Sequence, residues 1–209
     1  MLRQCSLFDE PPGGLGVLSP EPPLRAADAP DRLHSVFYGL LPQWSDAAGL
    51  HARGRQVEDG VGFAGSAVDA DRLHVTLHAL GVHVGALPRD EVDRWRRAGA
   101  AAASRRPPFD VVFDHVATFG GRDNPWVFTS SDEADIHALH EALGIALANT
   151  GERVARQRIA PHMTISWRGR RIATTAIEPV RWCVHELVLI DSLHGEHEHE
   201  ILGRWGLSG

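Results

Sequence analysis

Two tripeptides, His74-Val75-Thr76 and His162-Met163-Thr164, each sit in the middle of an apolar segment, LHVTL and PHMTI. Two residues apart on a strand, a histidine and a threonine point to the same side, so each segment offers an imidazole beside a hydroxyl. That pairing suits phosphodiester chemistry. One histidine can take a proton from water while a second, on the opposite side of phosphorus, protonates the leaving oxygen. Threonine hydroxyls can donate to the non-bridging oxygens as charge builds on them. With 13 histidines and 18 serines plus threonines in 209 residues, chance alone gives roughly one His-x-[Ser/Thr]. A single copy therefore reads as a hydrogen-bonded residue on a sheet surface. Two copies in matching apolar settings reverse that preference.

The elements that must position these residues follow from periodicity. Leu33–Leu41 is β-rich and stops at Pro42; Asp46–Val57 has helical character weakened by Gly49 and Gly54. Arg72–Leu80 alternates as a strand, with Leu73, Val75 and Leu77 behind and His74, Thr76 and His78 in front. A helix over Pro88–Arg105 is followed by strands at Phe109–Phe119 and Trp126–Thr129. Asp132 caps a further helix over Glu133–Asn149, closed by Thr150–Gly151. Ile159–Trp167 is then a strand on which His162, Thr164 and Ser166 share a face, and Trp182–Ser192 with His199–Trp205 form a last antiparallel pair. Each half thus contributes one polar-fronted strand after a helix. The layout predicts an α+β domain of two similar lobes across a groove, over residues 31–209. Residues 1–30 hold six of the thirteen prolines and little apolar pattern, and read as a flexible arm.

Composition narrows the function. A net charge of −6 argues against a generic nucleic-acid coat but leaves room for a phosphate ester in a local basic cleft. All 21 basic residues are arginine, which forks onto phosphate oxygens. The absence of lysine excludes a lysine nucleophile and a Walker-type phosphate loop. Cys5 and Cys183 lack metal-type spacing, and a disulfide framework is not expected. No apolar run is long enough to span a membrane, and the N-terminus lacks a signal-peptide core, so a cytoplasmic location is the expectation.

With these motifs the chain resembles the 2H phosphoesterases, in particular the LigT-like RNA 2′,3′-cyclic phosphodiesterases, also named 2′-5′ RNA ligases. The resemblance covers about residues 33–207. It rests on RLHVTLHALG and RIAPHMTISW as the two motif strands, and on HELVLIDSLHGEHEHEILGRWGL as a closing hairpin. It implies a bilobal, pseudo-duplicated α+β fold, with two antiparallel sheets facing a central cleft and helices outside. It also implies catalysis without metal or other cofactor at His74, Thr76, His162 and Thr164. The implied substrate is an RNA end or small cyclic nucleotide, opened to a 2′-phosphomonoester. By analogy His74 is the acid towards the 3′ oxygen and His162 the base for water. No protein partner and no membrane association are implied.

Two positions depart from the family pattern. Ala79 replaces an aromatic residue five positions after the first motif histidine, with His78 bringing an extra imidazole to the active face. Trp167 replaces an arginine five positions after the second, with Arg168 one step later. Phosphate or nucleotide contacts would then fall to Arg72, Arg158, Arg168 or Arg170, and a base could stack on Trp126 or Trp167. A pair at His197 and His199 invites a metal reading, but no third ligand is fixed by spacing, and a charged edge strand explains it equally well. His137 and His140, one turn apart, read as a surface or interface pair. The rival functions are a non-catalytic RNA- or nucleotide-binding module using the same cleft, and the same chemistry on a non-RNA cyclic or 2′-5′ phosphodiester.

Overall fold

The computed structural model describes residues 32–62, 65–120, 123–152, 158–167, 170–193 and 199–209; the arm at 1–30 lies outside them. Nine strands form in chain order: β1 Leu33–Leu40, β2 Ser66–Ala67, β3 Val75–Val84, β4 Phe109–Thr118, β5 Trp126–Thr129, β6 Met163–Trp167, β7 Thr175–Val184, β8 Glu186–Leu193 and β9 His199–Gly206. Three helices, α1 Trp44–Val61, α2 Arg89–Ala103 and α3 Ala134–Asn149, and a 3-10 turn at Ala70–Arg72 complete the described fold.

The helices form for reasons visible in their residues. Along α2, Val92, Trp95, Ala98 and Ala102 recur every three or four positions and are buried. Ile136, Leu139, Leu143 and Leu147 do the same on α3. The Ala134 N–H donates to the Asp132 carboxylate at 3.2 Å, and Gly151 leaves the helix with φ 87°.

All pairings are antiparallel, and the sheet runs β7-β4-β5-β6-β3-β1-β8-β9, with β2 added beside β6. It is symmetric about the β6–β3 junction, with four strands on either side. The two halves are joined there through one bridged residue pair, Val75 and Met163. Where the expectation was two separate sheets, they run on as one through this narrow seam. One face carries the main core, in which Leu73, Val75, Leu77, Met163 and Ile165 meet the helices. On the opposite face a small cluster of Phe37, Val188 and Ile190 lines the first lobe.

The last strands differ from expectation. Trp182–Ser192 is not one strand: β7 ends at Val184 and β8 begins at Glu186. Most of β7 precedes that segment and carries Pro179 and several exposed residues, which mask its strand character; it is an edge strand, where a proline is tolerated. The second motif strand is also shorter, starting at Met163 rather than Ile159. Cys183 lies on β7; the other cysteine, Cys5, lies outside the described residues, and with it the expectation about a disulfide.

Candidate active site

The seam brings the two tripeptides together. With Val75 paired to Met163 in antiparallel register, the flanking positions set His74 opposite Thr164 and Thr76 opposite His162. Each histidine directly precedes its strand, and its Nδ1 meets the carbonyl two residues back: His74 to Arg72 O at 2.8 Å and His162 to Ala160 O at 2.7 Å. A carbonyl oxygen can only accept, so Nδ1 carries the proton in both rings. Nε2 is left as the nitrogen available to a ligand, a lone pair when the ring is neutral and an N–H when it is charged. All four residues line one cavity of about 720 Å³.

A pair of matched β-bulges shapes the walls. Tyr38 pairs with His78 but Gly39 with Thr76, so Leu77 is the extra residue on β3. Trp126 pairs with Ser166 but Val127 with Thr164, so Ile165 is the extra residue on β6. An inserted residue reverses the alternation beyond it. His78 and Ser166, expected on the active face, are therefore buried on the helix side. Ala79 and Trp167, five residues after each motif histidine, are exposed instead, and Trp167 lines the cavity. Behind the strand the His78 ring lies 5.4 Å from that of His140. Burial, and then His140, push the His78 imidazole down to about 4. His140 is part-buried at the helix–strand interface: its Nδ1 donates to the carbonyl of Leu77, the bulged residue, at 2.8 Å.

The cavity is lopsided. Beyond the motif residues it is lined by Ser66, Ala67, Val68, Asp69, Arg72 and Trp167. β2 runs antiparallel to the end of β6, pairing Ser66 with Trp167. These six residues gather where β3 begins and β6 ends, which is the His74 end of the seam. Of the arginines proposed as ligand contacts, Arg72 is in this wall. Arg158 is exposed and outside it, and Arg170 turns to donate to Val61 O at 3.3 Å. Arg168 lies outside the described residues. Trp126 is fully buried with its indole N–H given to Arg170 O at 2.7 Å, so of the two indoles only Trp167, 45% exposed, offers a face for stacking.

A neighbour missed by the sequence reading is His199. As the first residue of β9, paired with Ser192, it stands 5.4 Å from the His74 ring. Its suggested metal partner, His197, lies outside the described residues. Burial lowers the His74 pKa below the usual histidine range; the hydrogen bond to Arg72 O opposes this, and the Arg72 and His162 charges add to it. Burial, with His74 and Arg72, brings His199 down to about 4. Both imidazoles are therefore neutral near pH 7 in the free protein.

Comparisons with known proteins agree with this fold. The family model of the 2′-5′ RNA ligase superfamily matches residues 44–196. Among solved structures, TT0787 of Thermus thermophilus is 20% identical with a TM-score of 0.65, covering 84% of this chain and 98% of its own. E. coli LigT in apo form is 21% identical with a TM-score of 0.63, covering 85% and 99%. LigT with 3′-AMP is 22% identical with a TM-score of 0.58, covering 85% and 99%. No curated protein sequence matches the chain. The family match over most of the chain, and the fold it shares with these structures, establish that this chain belongs to the 2′-5′ RNA ligase superfamily, as a LigT-like 2H phosphoesterase.

Proposed function

We propose that this protein is a phosphodiesterase that opens a 2′,3′-cyclic phosphate at an RNA or nucleotide end to a 2′-phosphomonoester, without a metal. The observation that carries the reading is the crossed arrangement of two His-Thr pairs over one cavity, each histidine anchored through Nδ1 to a backbone carbonyl. Phosphorus fits between the two Nε2 atoms, with the Thr76 and Thr164 hydroxyls donating to its non-bridging oxygens.

The lopsided cavity supports a division of labour. The organic part of the ester belongs at the roomier His74 end, between Trp167 and the Ser66–Arg72 segment, which puts the leaving 3′ oxygen beside His74. Water then attacks from the His162 side. His162 takes a proton from water as its oxygen bonds to phosphorus; the P–O3′ bond breaks and His74 delivers its proton to O3′. The product has a 2′-phosphate and a free 3′-hydroxyl, with His162 charged and His74 neutral until solvent exchanges the proton. A phosphate anion between the rings favours the charged form of His74 that this step requires, and a proton held at a lowered pKa is readily given up.

Other observations favour a small base-bearing ester over a long strand. The chain has a net charge of −6, and the exposed aromatic Trp167 stands in the cavity wall. LigT has been solved with 3′-AMP, ATP and NADP+, which supports a nucleotide as occupant here. Residues 31–209 would act as one bilobal unit, and a cytoplasmic setting goes with this substrate class. Phosphorus NMR on 2′,3′-cyclic nucleotides, a 2′-5′ dinucleotide and a base-free cyclic phosphate tests the proposal. It expects loss of the cyclic signal and growth of a 2′-monoester alone. A 3′-monoester product, or binding without turnover, would contradict it.

A further inference from the structure

The two motif histidines are not equally enclosed. Among the described residues His162 has one ring neighbour, Phe119, with centroids 4.5 Å apart. His74 is held in a triangle. Phe37 from β1 lies 5.2 Å away and tilted by 33°; His199 from β9 lies 5.4 Å away and edge-on at 77°. Phe37 and His199 close the third side at 6.1 Å and 83°. The floor beneath Phe37 is the apolar cluster of Val188, Ile190 and Ile201. Nothing local in sequence requires this. β1 and β9 flank β8, whose register brings Ser35 and His199 to either side of Ser192.

We propose that His199 is a positioning residue for His74: with Phe37 it walls the imidazole off from water on the first-lobe side and holds the ring against the cavity. The proposal rests on the catalytic reading of His74 only for its consequence in turnover, since the packing itself is independent of any reaction. Two rings meeting a third at these separations restrict its rotation about χ2, and the His74 Nδ1 bond to Arg72 O fixes the flip. Nε2 is thereby aimed without any help from substrate, the kind of preorganisation that an in-line proton transfer requires.

The charged and titratable groups around His74 come from several elements. Arg72 belongs to the 3-10 turn, His162 precedes β6 and His199 begins β9; Asp71 acts on His199, and Asp69 stands in the cavity wall. His199 is itself neutral near pH 7, so its influence there is exclusion of water rather than like charge. A phenyl ring would exclude water equally; a methyl group would not.

Labelling the histidines and following the His74 imidazole by NMR through a pH titration of the free protein separates these cases. His199→Ala should move the His74 midpoint up, towards the ordinary histidine value, because water returns to the ring. His199→Phe should leave it depressed. In turnover of a 2′,3′-cyclic nucleotide, His199→Ala should lower kcat about tenfold with KM within about twofold, and the pH limb belonging to His74 should move with the NMR midpoint. His199→Phe should lose less. An unmoved midpoint in His199→Ala, or an equal movement in His199→Phe, would overturn the proposal. If the midpoint moves as expected while the wild-type protein turns over no cyclic phosphate, the positioning role stands and the proposed function falls.

Discussion

On the proposed function, replacing Trp167 with alanine should separate the binding half of the site from the chemical half. The bulge at Ile165 carries this indole onto the cavity side of β6, where it is 45% exposed and pairs through its backbone with Ser66. The residue is about half covered by protein, so at most part of the indole is open to a base. Base–aromatic stacking is worth about 1–3 kcal/mol by alanine substitution. A partly covered indole belongs in the lower part of that range, about 1–2 kcal/mol, which corresponds to a rise in KM of roughly 5- to 30-fold. Because Trp167 lies beyond Thr164 along the strand and holds neither proton, kcat should stay within about threefold. Steady-state hydrolysis of 2′,3′-cyclic AMP measures both constants, with glycerol 1,2-cyclic phosphate as the substrate that has no base to stack. The base-free ester should show equal KM values for the two proteins. An unchanged KM for the cyclic nucleotide would refute the placement of the base, as would the same loss on both substrates.

Three further outcomes follow from the same structure. Thr76→Val and Thr164→Val should each lower kcat about 10- to 100-fold while thermal unfolding is unchanged, since on the proposed mechanism each removes one hydroxyl donor to phosphate and keeps the shape. Gly99→Ala should destabilise the protein in urea titration although alanine is the better helix former by about 1 kcal/mol, because the new Cβ would come within 2.6 Å of Trp205 Cη2 and overpacking costs about 1–3 kcal/mol. His78 and His199, both held near 4 in the folded state, bind fewer protons than the unfolded chain between about pH 6.5 and 4. Their share of stability is therefore fully present above about 6.5 and is lost as pH falls to about 4; His78→Asn should flatten that acid slope of the urea midpoint.

The motif pairs and the order of elements were legible because they depend on local pattern: alternation at Leu73–Leu77, Pro88 at the start of α2, and Thr150–Gly151 closing α3. What lay hidden depends on register. RLHVTLHAL alternates without visible interruption, so nothing in it announces the extra residue at Leu77; the bulge appears only against the pairing of β3 with β1. The same one-residue reversal turned Ser166 inward and Trp167 outward. His199 was drawn by proximity in sequence to a pairing with His197, whereas its ring neighbours, Phe37 and His74, are distant in the chain and meet it through β8. Trp126 was offered for stacking as an exposed indole, yet it is buried and its indole N–H is tied to Arg170 O.

The most direct test of the two-histidine account is single-turnover hydrolysis of a 2′,3′-cyclic nucleotide by His74→Ala and His162→Ala, each checked for fold by circular dichroism and assayed with and without chelator. Both variants should lose at least about 10²-fold in the chemical step, with the wild-type rate unaffected by chelator. A variant that retains turnover, or a wild-type protein silenced by chelator, would contradict it.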